Sequence, residues 1–168
     1  MSAEQKDTLG VLLLRVAAQV AQLGPGGRAD LRRMNVDTGC ADLWRILATV
    51  GVDGGHEPWA RFAKIVAILT PNRESPEDRK VHNGQARLGA VLFENKLSEA
   101  RLNRLCSAPL VQRREMLERT VRGLDTPAGV DLVTVGLLLF SEAPDTVRRV
   151  ALDYFSAEVS ANMKENAA

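Results

Sequence analysis

Leu9-Gly10-Val11-Leu12-Leu13-Leu14-Arg15-Val16-Ala17-Ala18-Gln19-Val20-Ala21-Gln22-Leu23 decides the fold class. Leu9, Leu12, Leu13, Val16, Val20 and Leu23 recur at steps of three and four. That spacing lines apolar side chains along one face of a helix, with Arg15, Gln19 and Gln22 outside it. Asp7 or Thr8 is placed to cap its start. Gly24-Pro25-Gly26-Gly27 ends it, because glycine takes the left-handed cap and proline cannot continue the helix.

The helical period returns along the rest of the chain. Arg28–Met34 predicts one or two helical turns. Ala41–Val50 carries a stripe of Leu43, Trp44, Leu47 and Val50, and Gly51–Glu57 reads as a loop. Pro58 suits the first position of a helix whose face is Phe62, Ile65, Val66 and Leu69. Leu88, Val91 and Leu92 mark another helix. Ser98 reads as the cap of the next, with Leu102 and Leu105 inward. Leu110–Gly123 follows, with Leu117, Val121 and Leu124 on one side. Thr126-Pro127 is expected to open a helix through Val130, Val133, Leu137 and Phe140. The β-branched run Val133-Thr134-Val135 suggests a strand, but the flanking signals favour helix. A last helix starts near Pro144 and buries Val147, Val150, Ala151, Tyr154 and Phe155.

The expected fold is therefore all-α. It is a compact helical bundle of about eight or nine helices in two small packed lobes. The lobes span residues 1–69 and 85–168, separated by an exposed loop over 70–84, with a tail that frays from about residue 160.

Composition excludes whole classes. The 168 residues hold 22 basic and 21 acidic side chains, and 45% of them are apolar, so disorder is disfavoured. No apolar run approaches the roughly 18 residues that a membrane span needs. The polar start, Met1–Thr8, resembles neither a secretory signal nor a transit peptide, and a cytoplasmic location is expected. Cys40 and Cys106 are expected to be reduced packing residues.

The residues of catalysis are not assembled. His56 and His82 each lie in a polar stretch without a second ligand at helical spacing, so no metal is expected. Gly24-Pro25-Gly26-Gly27 lacks the spacing and the preceding strand of a phosphate loop. No nucleophile set involving Ser, Cys and His stands out. Asp30, Asp37 and Asp42 are spaced as caps and surface rather than as paired acids. The expectation is a protein that is not an enzyme and carries no cofactor.

Arginine is unevenly spread. Six arginines (101, 104, 113, 114, 119 and 122) stand against Glu115 and Glu118, a local charge of +4. Asp125, Asp131, Glu142 and Asp145 form a block of −4 immediately after it. Arg28, Arg32 and Arg33 against Asp30 add a second basic cluster. Such blocks give a neutral protein one face for phosphate and another for protein, or they solvate helix faces. Aromatic side chains are few and fall on apolar stripes. Any nucleic-acid contact should therefore be to the phosphate backbone and indifferent to sequence.

Five short stretches resemble the CasB family, the small subunit of the type I-E CRISPR Cascade surveillance complex. Gly27-Arg28-Ala29-Asp30-Leu31-Arg32-Arg33 is similar to its first motif. Arg87-Leu88-Gly89-Ala90-Val91-Leu92 resembles a "S-L-G-R-A-L" stretch, with Ala90 where the family has Arg. Ser98–Leu105 and Leu117–Leu124 resemble the two middle motifs. Val147–Phe155 resembles the closing "V-R-R-x-W-A-x-D-[FY]", with Val150 in place of Trp. Order and spacing agree over about residues 10–156, a match in pattern rather than in any single motif.

The resemblance implies a non-catalytic helical subunit. It implies as partners the large subunit, the guide-RNA backbone subunits, a second copy of the chain, and the opened target DNA, with no membrane. Basic faces would hold the displaced non-target strand and the target strand and stabilise the R-loop. The candidate phosphate contacts are Arg28, Arg32, Arg33, Lys64, Arg87, Arg101, Arg119, Arg122 and Arg148, with Arg101 and Arg119 foremost. Arg148 or Arg149 is also placed to pair with Asp145 or Asp153. The rival reading is a helical protein–protein adaptor without nucleic-acid contact. The two separate on whether Arg28–Arg33 and Arg101–Arg122 converge on one exposed face.

Overall fold

A computed structural model describes residues 3–71 and 80–166. Nine helices are present among them: α1 (Ala3–Gln22), α2 (Pro25–Arg33), α3 (Ala41–Val50), α4 (His56–Leu69), α5 (Leu88–Glu94), α6 (Glu99–Ser107), α7 (Leu110–Val121), α8 (Leu132–Phe140) and α9 (Pro144–Asn166). The described residues contain no strand, only an isolated parallel bridge between His82 and Val130. The all-α bundle is as the apolar periodicity requires.

Two helices are central because their sequences are apolar on nearly every face. In α4, Trp59, Phe62, Ile65, Val66 and Leu69 are buried together with Ala60, Ala63 and Ala67. In α8, the run from Thr134 to Leu139 is buried without interruption. Helix α1 lies against α3, α4 and α8, while α7 lies against α4, α6 and α8. Helices on both sides of the 70–84 boundary thus share one core, continuous from Leu13 to Tyr154.

Helix α5 packs along α9, and a glycine permits that approach. A Cβ at Gly89 would sit 2.1 Å from the Val150 carbonyl oxygen and 2.7 Å from the Tyr154 nitrogen. Tyr154 then donates its hydroxyl to the Leu97 carbonyl at 2.6 Å, fixing the end of the contact.

Several boundaries differ from expectation. Helix α1 begins at Ala3, so Asp7 and Thr8 lie within it. Helix α2 is a full nine residues, opened by Pro25. Helix α4 starts two residues before Pro58. Ser98 occupies the cap position of α6 but its side chain makes no capping hydrogen bond. Thr126-Pro127 does not open α8. Gly129 turns there with φ +80°, and Val130 bonds to the Val81 carbonyl instead. The cap is Asp131, whose side chain accepts from the Val133 and Thr134 amides. The tail stays helical to Asn166. Of the expected exposed loop, 72–79 lies outside the described residues. Of its described flanks, Lys80, His82 and Gly84 are exposed as expected, while Thr70 and Val81 are buried. No described helix is long and apolar enough to cross a membrane.

Candidate nucleic-acid interface

The basic block on α6 and α7 divides into inward and outward arginines. Arg113 is buried and donates to the Ala108 and Ser141 carbonyls at 3.0 and 3.3 Å. Arg114 donates to the Leu139 carbonyl and to Glu57, both at 2.7 Å. These two fasten α7 to its neighbours and present no charge to a ligand.

Glu118 is the hub of a half-buried ion network between α4 and α7. Its carboxylate, on a side chain 12% exposed, meets Arg61 at 2.8 Å, Lys64 at 3.2 Å and Arg122 at 2.9 Å. Arg61 also pairs with Glu57 at 2.7 Å. Burial pushes the Glu118 pKa up, but hydrogen bonds from Arg122 and Lys64 and the charges of Lys64 and Arg61 outweigh it. The net effect holds Glu118 below the ordinary carboxylate value.

Three expected phosphate contacts are therefore corrected to structural residues. Arg28 is 1% exposed and donates to the Leu23 carbonyl, closing the end of α1. Arg32 donates to the Ala67 and Thr70 carbonyls at 2.7 and 3.1 Å, satisfying the last turn of α4 where the helix dipole favours a cation. Its partial burial lowers its pKa. Lys64 is held by Glu118 and by the Met34 carbonyl at 3.0 Å. The cause is common to all three: the carbonyls at helix ends and a buried carboxylate need donors, and these side chains supply them.

The remaining candidates are on the surface but dispersed. Arg33 pairs with Asp30 on α2, Arg148 with Asp145 at the start of α9, and Arg87 with Asp153 across α5 and α9. Arg122 is half exposed and tied to Glu118. With Arg28 buried and Arg32 held by carbonyls, Arg33 alone of the three arginines in Arg28–Arg33 is exposed, so that stretch does not add the expected basic face to Arg101–Arg122.

What the structure brings together is narrower. A groove of about 500 Å³ lies between the α5–α6 turn and α7. Lys96, Arg101, Arg104 and Arg119 line it, and among the described residues no carboxylate does. Arg119 is 78% exposed and its pairing with Glu115 is loose, at 3.5 Å. Such an exposed pair contributes about 0–1 kcal/mol and yields readily to a phosphate. The turn itself is fixed. Asn95 accepts from the Asp125 amide at 2.7 Å and donates to the Asp125 carbonyl at 3.2 Å, locking the turn to the segment after α7.

Lys96 holds φ at +60°, a left-handed conformation usual for glycine or asparagine. Its amide donates to the Phe93 carbonyl at 2.8 Å, and the Leu97 amide to Leu92 at 3.0 Å, which together close the C-terminus of α5. A lysine here accepts some backbone strain and stands at the rim of the groove.

Arg101 and Arg119 were foremost in the sequence reading and are found together. Arg104 and Lys96 were not among its candidates. Arg104 had a signal, since it lies three residues after Arg101 on the same helix face. Lys96 had none, because its place depends on how α5 ends. Among the described residues no cluster of three or more His, Cys, Asp or Glu is suited to a metal ion. No protein-family model, curated protein or solved structure matches the chain.

Proposed function

We propose that the chain is a non-catalytic small subunit of a guide-RNA surveillance complex of the type I-E Cascade kind, and that it grips the sugar-phosphate backbone of opened target DNA. The observation that carries this reading is the groove in which Lys96, Arg101, Arg104 and Arg119 converge without a lining carboxylate among the described residues. Two of the cations, Arg101 and Arg119, come from separate motifs of the CasB resemblance and meet only in the fold. The physics suits the task. Base pairing with the guide reads the sequence, so a neighbouring protein needs only charge and shape. Strand exchange is nearly balanced, so a few phosphate contacts tip it.

The other stretches that carry the resemblance have packing roles. Arg87-Leu88-Gly89 and Val147–Phe155 are the two sides of the α5–α9 contact, where Gly89 meets the Val150 backbone. Val150, standing where the family has Trp, is buried against that seam. Arg28 and Arg32 tie α2 to the ends of α1 and α4.

A second reading, the adaptor without nucleic-acid contact, is favoured by two observations. Arg28–Arg33 does not join Arg101–Arg122 in one exposed basic face, because Arg28 is buried and Arg32 is held by carbonyls. Leu152, Val159 and Met163 are exposed on α9, spaced to lie on one side of the helix. The two readings part in a reconstituted guide-RNA complex from which this subunit is omitted. The proposed function expects guide-RNA binding to persist and R-loop formation to fall. Unchanged R-loops on omission would leave the adaptor reading.

A further inference from the structure

The groove is not lined by cations alone. Leu97, Met116 and Leu124 lie among Lys96, Arg101, Arg104 and Arg119, and each of the three is only half-buried. Each packs against the core on one side, and the part left open is apolar area between charges, where contact with water is unfavourable. Methionine adds a polarizable side chain that adapts to flat partners. The volume, about 500 Å³, is that of a small-ligand site.

We infer that the groove takes single-stranded nucleic acid in particular, with one unstacked base seated on Leu97, Met116 and Leu124 and the flanking phosphates on the four cations. This rests on the reading of the groove as a phosphate contact and adds the occupant of its floor. In a duplex the bases are paired inward and only phosphates reach the groove. In a single strand a base turns out at little cost, and exposed guanidinium planes of Arg101 and Arg119 flank it. The preference runs against bulk electrostatics. A duplex carries the denser charge, so a purely electrostatic surface binds it more tightly.

The test is fluorescence anisotropy with the full chain and four probes at one ionic strength: labelled oligothymidine, an abasic strand of equal length, a duplex of equal length, and oligouridine. Oligothymidine is expected to bind about fivefold more tightly than the abasic strand, the effect of covering one base face with apolar side chains, and more tightly than the duplex. A preference between oligothymidine and oligouridine assigns the strand as DNA or RNA, and either supports the seat. Equal binding of the oligothymidine, abasic and duplex probes would overturn the seated base while leaving the phosphate reading standing. Binding to none would overturn both. Poly-glutamate competing as well as oligothymidine would also overturn the seat, naming an acidic protein segment as occupant. Met116→Gln keeps length but makes one of the three floor side chains polar, and should bring oligothymidine affinity measurably toward the abasic level. Unchanged oligothymidine affinity in a folded Met116→Gln chain refutes the inference. If that variant loses its helical circular dichroism, the comparison of probes on the unmodified chain decides.

Discussion

Replacing Arg101 and Arg119 together by alanine removes two of the four cations that line the groove. The size of the effect follows from counterion release. Each phosphate neutralised on a single strand contributes about −0.7 to the slope of log affinity against log salt, so four contacts give about −2.8 and two give about −1.4. At about 0.1 M salt, one contact corresponds to roughly a fivefold change, or about 1 kcal/mol, and the double variant should bind about 25-fold more weakly. The difference should vanish as salt approaches about 1 M, where released counterions gain nothing. Little is subtracted for breaking the Arg119–Glu115 pair, because both side chains are exposed and 3.5 Å apart. The assay is anisotropy of a labelled single strand over a salt series, with Arg45→Ala as control. Arg45 is exposed on α3, paired with Asp42, and does not line the groove. A double variant that keeps the full slope, or an Arg45→Ala chain that loses as much, would refute the groove as the contact.

The structural residues make separate predictions. Glu118→Gln should destabilise the fold by about 3 kcal/mol in urea melts, because Arg61, Lys64 and Arg122 lose their shared carboxylate. The folded-state pKa of Glu118 is depressed, so its contribution is present above the unfolded value of about 4.3 and is lost as pH falls through the folded value. Acid titration of stability should show that loss in the parent chain and not in Glu118→Gln. Gly89→Ala should cost about 3 kcal/mol, since its Cβ meets the Val150 and Tyr154 backbone, which cannot step aside. Gly136→Ala has side-chain carbons of the buried Leu13, not backbone, as its nearest contacts, and should cost less, about 2 kcal/mol, in the same urea melts. Arg28→Ala should lower stability by about 2 kcal/mol yet leave strand affinity unchanged, because that arginine is buried at the end of α1.

Helix positions were legible in the sequence wherever an apolar stripe had a period. Leu13, Val16 and Val20 on α1, and Phe62, Ile65 and Val66 on α4, are buried as their spacing requires. Starts were less legible, because competing caps read alike. Thr126-Pro127 has the form of a helix opening. Asp131 prevails because Val130 is drawn against Val81 by a bond between residues far apart in sequence. Arginine shows the same limit. Periodicity marks where a charge leaves the helix, not what waits there. Arg28, Arg32 and Lys64 meet carbonyls or a carboxylate contributed by other elements, so sequence alone put them at the surface. Among the described residues Arg101 and Arg119 have no such partner on another element, and the local basic block was enough to mark them. Lys96 was invisible because its position is set by a left-handed residue at the close of α5.

R-loop formation on a matched target, measured in a reconstituted guide-RNA complex to which the Arg101→Ala/Arg119→Ala chain has been added back, tests the central claim most directly. The account predicts that the double variant joins the complex, leaves guide-RNA binding intact, and fails to restore the R-loops that the parent chain restores. Full restoration by the double variant would contradict it, and would assign any role of this subunit to its protein-facing surfaces.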